Sequence, residues 1–234
     1  MNTKKSPHFL CFIFFVGLCQ ILVCCQSVQP IERSFGKLHI SIDPRMELLA
    51  TVQLLANTPE VDRSTPYSKD ILSYFESYTT HEAVKMADSL RQNHDFSYEV
   101  PVSFMLHLSQ FPELDQKIAF ADKFGRGGGS ENMEQYRKSI KKFAQESNFK
   151  AFWKSRISFY NRILDLTIAN LNVMKIDFIT IMEGYFNETR NGYNVMITPA
   201  FGNYGPQVTN ADSNSMIYAC IQTTNMKDDL LEMQ

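Results

Sequence analysis

Two stretches of alternating polarity lie near opposite ends of this chain, and their separation limits the folds open to it. Leu38, Ile40 and Ile42 alternate with Lys37, His39 and Ser41. A period of two means a strand with one face buried and one wet. Val195 and Ile197 alternate with Met196 and Thr198 in the same way. Met216 to Gln222 is apolar on both faces, which suits a fully buried strand. A lone strand leaves its backbone groups unpaired. Strand 37–42 is therefore expected to share a sheet with 194–198 or 215–222.

Between these strands the periodicity is helical. Met46, Leu49, Val52 and Leu55 recur at helical spacing after Asp43-Pro44, and Leu48 and Ala56 widen the stripe. Helices are expected over most of 45–56, 67–78, 80–91, 131–146 and 149–171. Thr65-Pro66 reads as an N-cap with proline at the first helical position. Thr79 with Glu82 reads as a capping box. Pro101 opens another helix through Leu108, and Leu114, Ile118 and Ala121 mark a short one. Ser130 is the expected cap of the 131–146 helix, and a further helix runs from Ile176 to about Tyr185. The expected class is α+β: a predominantly helical body with a small mixed or antiparallel sheet.

The N-terminus has the layout of an export signal. Lys4 and Lys5 precede an apolar run, Phe9 to Val23, and no acidic residue occurs before Glu32. The run is short for a membrane span and typical of a signal core. The expected organisation is a signal over 1–25, a linker over 26–34 and a single domain over 35–234. Small residues around Val23-Cys24-Cys25 suit a signal peptidase. A cysteine just after an apolar run also resembles a bacterial lipoprotein signal, which makes Cys25 the candidate lipidation site. The expected location is exported: periplasmic, secreted or envelope-anchored, with the membrane reached only through the signal or a lipid anchor.

Cysteines and charge then exclude several functions. Of the five cysteines, Cys11, Cys19, Cys24 and Cys25 fall in the signal, so only Cys220 remains in the mature chain. That excludes an intrachain disulfide framework and a four-cysteine or Cys2His2 zinc site. Cys220 lies in the apolar run Ile217 to Ile221 and reads as a small core residue. Without Lys4 and Lys5 the basic residues number 21 against 25 acidic ones, with no basic block, so nucleic acid is not an expected partner.

The candidate motifs are partial. Gly125 to Ser130 reads GRGGGS but lacks the Gly-Lys-Ser/Thr ending of a phosphate loop and reads as an inter-helix loop. His81-Glu82 has Lys85 where a zinc-binding helix needs a second His, and an ammonium has no lone pair to donate. Asn187-Glu188-Thr189 is a glycosylation triplet of low specificity. Asp43-Pro44-Arg45 with Glu47 is a charged cluster at a strand-to-helix junction, readable as a local cap and ion pair or as a polar group at a cleft edge. Gly202-Asn203-Tyr204-Gly205-Pro206 makes a tight special-dihedral turn, readable as a hairpin loop or as a substrate-lining loop. Asn203, Tyr204, Gly205, Asp43 and Arg45 are the candidate cleft-lining residues. No residue is assigned a catalytic or metal-binding role.

Taken together, Ile42-Asp43-Pro44-Arg45-Met46-Glu47-Leu48-Leu49, Tyr67, Tyr74-Phe75, His81-Glu82-Ala83-Val84 and Gly202-Asn203-Tyr204-Gly205-Pro206 resemble an exported bacterial family. This is domain-of-unknown-function family 4932, described as zinc-metalloprotease-like. The resemblance implies a zincin-like domain in which a His-Glu-x-x-His helix follows the last strand, two His hold Zn²⁺ and the Glu deprotonates bound water. It also implies a peptide or protein substrate paired along an edge strand. Here Thr223 to Gln234 follows the last strand and no His occurs beyond His107. The chain is therefore expected to be an incomplete zincin-like domain, C-terminally truncated and inactive as given, with no cofactor of its own. Zinc is expected only in a full-length family member. The alternative is a non-enzymatic envelope binding or scaffold protein of the same fold. A third reading is an intact enzyme with a site built from Asp43, Glu47 and histidines. Mass spectrometry of the protein from its native host should place the mature N-terminus between Cys24 and Val28. An intact Met1 in the soluble cytoplasm would refute export.

Overall fold

The structure is a computed structural model that describes residues 28–120, 122–206, 208 and 217–222. It opens with a hairpin, β1 (Ile31–Phe35) and β2 (Leu38–Ile42), antiparallel and in register from Ile31↔Ile42 to Phe35↔Leu38. Gly36 takes φ +59° in the two-residue turn, a conformation tight hairpins require and glycine adopts without strain. β2 then pairs in parallel with β3 (Tyr193–Thr198), and β3 in parallel with β4 (Ile217–Gln222). The sheet order is β1-β2-β3-β4. All three segments read as strands share this mixed sheet, and the α+β class holds. Ile31–Phe35, expected as the end of a linker, is instead strand: Arg33 and Phe35 pair with Ile40 and Leu38, and the short polar stretch carried too little alternation to reveal it.

Parallel neighbours cannot be joined by a tight turn. The β2–β3 crossover runs from residue 43 to 192 and holds all eight α-helices among the described residues: α1 (Pro44–Leu55), α2 (Pro66–Tyr74), α3 (Glu82–His94), α4 (Glu99–Leu106), α5 (Gly129–Glu146), α6 (Phe149–Ser155), α7 (Ile157–Met174) and α8 (Phe178–Phe186). α1 is the central helix. Every residue of it except Arg45 is buried, as a helix apolar on most sides requires. α2, α3 and α4 pack against α1, and α7 lies against the β1–β2 hairpin. Arg33 fixes that last contact, with Nε 2.9 Å from Asp165 and Nη2 2.8 Å from Asn161.

Local signals fared unequally. Thr65 caps α2 as expected, accepting from the Ser68 amide at 3.0 Å. The capping box at Thr79 does not form, because His81 is the cap of α3 and its Nδ1 accepts from the Ala83 amide at 3.0 Å. Ser130 is not a cap either: α5 begins one residue earlier, after Gly128 at φ +76°. The expected single helix 149–171 breaks at Arg156 (φ −104°, ψ 2°) into α6 and α7. Residues 113–120 are not helical. Leu114 takes φ +47°, and Gln116 bridges to Leu108. In β4 only Cys220 is buried among the described side chains, while Ile221 is 42 % exposed. The fully apolar pattern there belongs to an outer strand of the sheet, not a central one.

The helices close on an aromatic core. The Phe75 ring lies within 4.7–6.2 Å of Tyr74, Phe143, Phe149 and Phe152, and so ties α2 to α5 and α6. Phe75→Ala is expected to lower the unfolding free energy by about 3–5 kcal/mol. Tyr74→Ala, at a half-exposed ring, should cost clearly less; urea melts of both variants make the comparison.

Candidate functional site

The polar residues of interest gather at the carboxyl ends of β2 and β3. In sheets with parallel strands this end is where loops diverge and polar groups can be presented. Asp43 follows β2 directly. Its Oδ1 accepts from the Arg45 amide at 2.8 Å, which caps α1, and its Oδ2 lies 2.6 Å from Arg45 Nη2. The Arg45 guanidinium also donates to the Leu108 carbonyl at 2.8 Å, just past the end of α4, where helix carbonyls lack partners. Burial works against its charge, and Asp43 more than compensates, so the pKa of Arg45 is raised. The Asp43–Arg45 cluster is thus a cap and an ion pair that also joins α1 to the end of α4.

One turn further along α1, Glu47 points into the interior. Tyr67 of α2 donates a short hydrogen bond to Glu47 Oε2, Tyr160 of α7 lies 3.4 Å from the same oxygen, and the two phenol oxygens are 2.7 Å apart. All three side chains are buried, and Glu47 Oε1 has no hydrogen-bond partner among the described residues. Burial raises the Glu47 pKa to about 7, against the lowering effect of the two tyrosines and with a small push from Asp43. The cluster couples three helices and is sealed from solvent, so it can hold a proton but cannot meet a substrate. The sequence separated these residues: Tyr67 and Tyr160 read as members of apolar faces. The available signal was a lone acid in the buried helix PRMELLATVQLL.

Cys220 lies beside this cluster, and the carboxylates of Glu47 and Asp43 both act on it. Burial pushes its thiol up to about 12, while the Thr198 hydroxyl 3.9 Å away pulls it down. A thiol so protonated is no nucleophile at neutral pH, in keeping with a small core residue.

The loop after β3 approaches Cys220 from the other side. It is not a hairpin loop, since the strands it joins are parallel. The Tyr204 amide donates to the Cys220 carbonyl at 2.9 Å, and the Cys220 amide donates to the Tyr204 carbonyl at 2.8 Å, an antiparallel bridge on the outer edge of β4. Asn203 adds a 2.6 Å amide bond to the same carbonyl at φ +71°. Gly202 is required there: a Cβ would sit 2.3 Å from the Gln222 amide nitrogen. Asn203 and Gly205 are exposed and Tyr204 is half-buried. The Tyr204 ring is 6.3 Å from exposed Tyr98, which holds an unusual backbone (φ +55°, ψ −117°) just before α4. Asp43 and Arg45 thus form one pair, Asn203, Tyr204 and Gly205 form one loop, and Cys220 stands between the two groups. Cys25 lies outside the described residues.

The histidines take part in separate local arrangements. His81 caps α3, and His107 is buried with Nδ1 2.7 Å from the Ser103 carbonyl. His39 lies on β2 and His94 ends α3. Among the described residues no group of three or more His, Cys, Asp and Glu side chains converges. A zinc ion of the kind the resemblance implies does not fit these residues. A cavity of about 730 Å³ lies elsewhere, at the hairpin end of β2.

Fold and site together define a mixed α+β domain with its polar groups at the carboxyl ends of parallel strands. The sequence profile of the domain of unknown function DUF4932 matches residues 38–231, and the chain belongs to that family. No curated protein and no solved structure matches it.

The Glu47 cluster makes stability depend on pH. The unfolded chain ionises Glu47 near 4.5 and the folded one near 7. Between these values the folded protein keeps a proton that the unfolded chain has lost. The stabilising contribution is therefore full below about 4.5 and is lost as pH rises through about 7. Its size is on the order of 3 kcal/mol. Glu47→Gln is expected to flatten this slope, gaining on the parent at mildly alkaline pH and not at acid pH. Thermal melts across the range would show it, and parallel curves would refute the assignment.

Proposed function

We propose that this chain is an exported binding protein of metalloprotease-like type whose β4 edge seats an extended peptide. One observation carries the reading. The chain's own Asn203-Tyr204 segment lies antiparallel on that edge, bonded through both backbone groups of Cys220. The segment thus occupies the outward backbone groups of Cys220 that an added peptide strand would use. Peptides added to a sheet edge gain affinity from such main-chain bonds and specificity from side chains beside the edge. Tyr98 and Tyr204 supply aromatic surface next to it. Gly202 and Gly205 flank the segment and give it the freedom to swing away when a peptide takes its place. Period-two alternation points the backbone groups of Tyr218 and Gln222 to the same side as those of Cys220.

Export is supported by Lys4, Lys5 and the run Phe9 to Val23. No helix among the described residues is long and apolar enough to cross a membrane. The reading is of a binder and not a protease because the Cys220 thiol is held protonated, the Glu47 carboxyl is sealed and the histidines are dispersed.

Fluorescence anisotropy against a library of extended peptides tests the reading. Gly202→Ala, which cannot keep the segment against Gln222, is expected to tighten peptide binding several-fold. Tyr218→Pro, which removes an edge amide, is expected to weaken it by a similar factor, with the far-UV circular dichroism of both unchanged. No binding, or two variants that shift affinity in the same direction, would refute it. Elemental analysis should find no stoichiometric zinc, and a broad peptide digest no cleavage. One tight zinc per chain with chelator-sensitive cleavage would favour an enzyme instead.

A further inference from the structure

At the far end of β2 from the Asp43 cluster, α8 stands almost wholly outside the core. None of its residues is buried. Its N-terminus is capped by Asp177, whose Oδ1 accepts from the Thr180 amide at 3.0 Å. Its one charged residue, Glu183, turns back to the body of the protein. There it accepts from Lys37 Nζ at 2.9 Å, the Arg190 amide at 3.1 Å and the Tyr193 hydroxyl at 3.3 Å. With the charge so used, the outer face of the helix is apolar. Ile181 is 61 % exposed, Tyr185 82 % and Phe186 68 %, and Val173 at the end of α7 is 78 % exposed.

From Val173 to Phe186 the exposed apolar side chains present roughly 900 Å², taking ~150–250 Å² for a fully exposed large side chain. Monomers rarely show contiguous apolar patches above about 600 Å². A stable interface needs about 800 Å² from each partner. Shape points the same way. The cavity of about 730 Å³ lies beside the N-terminal half of α8, lined in part by Phe35, Leu38, Leu171, Phe178 and Met182. Tyr185 and Phe186 project from the C-terminal end of the same helix. The surface therefore carries a hollow at one end and aromatic knobs at the other, about 10 Å apart at 1.5 Å per residue.

We propose that α8 is the interface of a symmetric homodimer, formed by antiparallel pairing of α8 with its copy. A two-fold axis near Ile181 and Met182 sets Tyr185 of each chain over Phe178 of the other, so each hollow receives the other chain's knobs. Interfaces between like subunits about such an axis use one self-complementary patch twice. The stripe Phe178, Ile181 and Tyr185 has the i, i+3, i+7 spacing of such a seam. α8 itself carries one charged residue, Glu183, and the hollow beside it is bordered by Lys37, Lys175 and Asp177, so the apolar seam has a polar rim.

The test uses the mature chain from residue 26, without the signal and its four cysteines. Sedimentation equilibrium at micromolar concentration is expected to give a dimer. The double variant Tyr185→Asp, Phe186→Asp is expected to give a monomer with unchanged circular dichroism. As a register test, Phe178→Cys chains mixed with Tyr185→Cys chains should form a disulfide dimer several-fold faster than either alone. The proposal is overturned by a parent chain that is monomeric, as when another segment of the same chain covers α8. A dimer that survives the double aspartate variant overturns it too, as does loss of the patch to lipid vesicles without dimerisation.

Discussion

The parallel pairing of β2 with β3 is the constraint on which this fold depends. Leu38 to Ser41 lie in register with Tyr193 to Met196, and the chain between them is a helical body that cannot be replaced by a turn. Each strand is only five or six residues long, so neither is stable alone. The sheet exists because the body returns the chain to β2 at the right height, and the body exists because α1 leaves β2 into a bed of apolar side chains. Closing so long a loop costs entropy before any rung forms, though that cost grows slowly with loop length. Packing within the helical body offsets it, and the aromatic contacts of Phe75 with Phe143, Phe149 and Phe152 show where.

α1 couples the two halves. Its first turn is fixed by Asp43, its guanidinium at Arg45 reaches the end of α4, and its Glu47 holds Tyr67 and Tyr160. A buried carboxyl with one unpartnered oxygen costs stability relative to an apolar replacement. In return it fixes how three helices meet, since two phenols and a carboxyl form one hydrogen-bonded arrangement where apolar side chains would accept several. Burial opposes ionisation of Glu47 while the two phenols favour it, so the cost of the charge is one of desolvation and not of lost hydrogen bonds.

Much of the fold could be read from the sequence because its signals were local. Strand alternation at Leu38–Ile42, the Thr65 cap and the apolar stripe of α1 depend on spacing alone. The failures came where distant contacts decided the outcome. Ile31–Phe35 becomes strand because β2 lies beside it and α7 holds Arg33. His81 replaces Thr79 as a cap because its ring also packs on Phe143, 5.3 Å away, and faces Glu146. The site shows the same divide. Asp43 and Arg45 are sequence neighbours, and their pairing was readable. Tyr204 on Cys220, and Tyr67 with Tyr160 on Glu47, join elements far apart in the chain, and no periodicity encodes such meetings.

The outer strands also explain why two surfaces of such different character lie at opposite ends of β2. An unprotected strand edge invites unwanted pairing. β1 limits this with Glu32 and Arg33 and with brevity. β4 has little charge to offer, and the chain instead lays Asn203 and Tyr204 across its middle. A cover made of the same backbone bonds as a foreign strand would make is reversible by nature, since a competing peptide replaces each bond with its equal. In the proposed reading, protection and recognition use the same rung at Cys220. α8 is different in kind: its exposed face is apolar and has few hydrogen-bonding groups, so only shape-matched burial can satisfy it. If both proposals hold, the first surface exchanges occupants and the second keeps a permanent one, and a single chain can carry both because the length of β2 separates them.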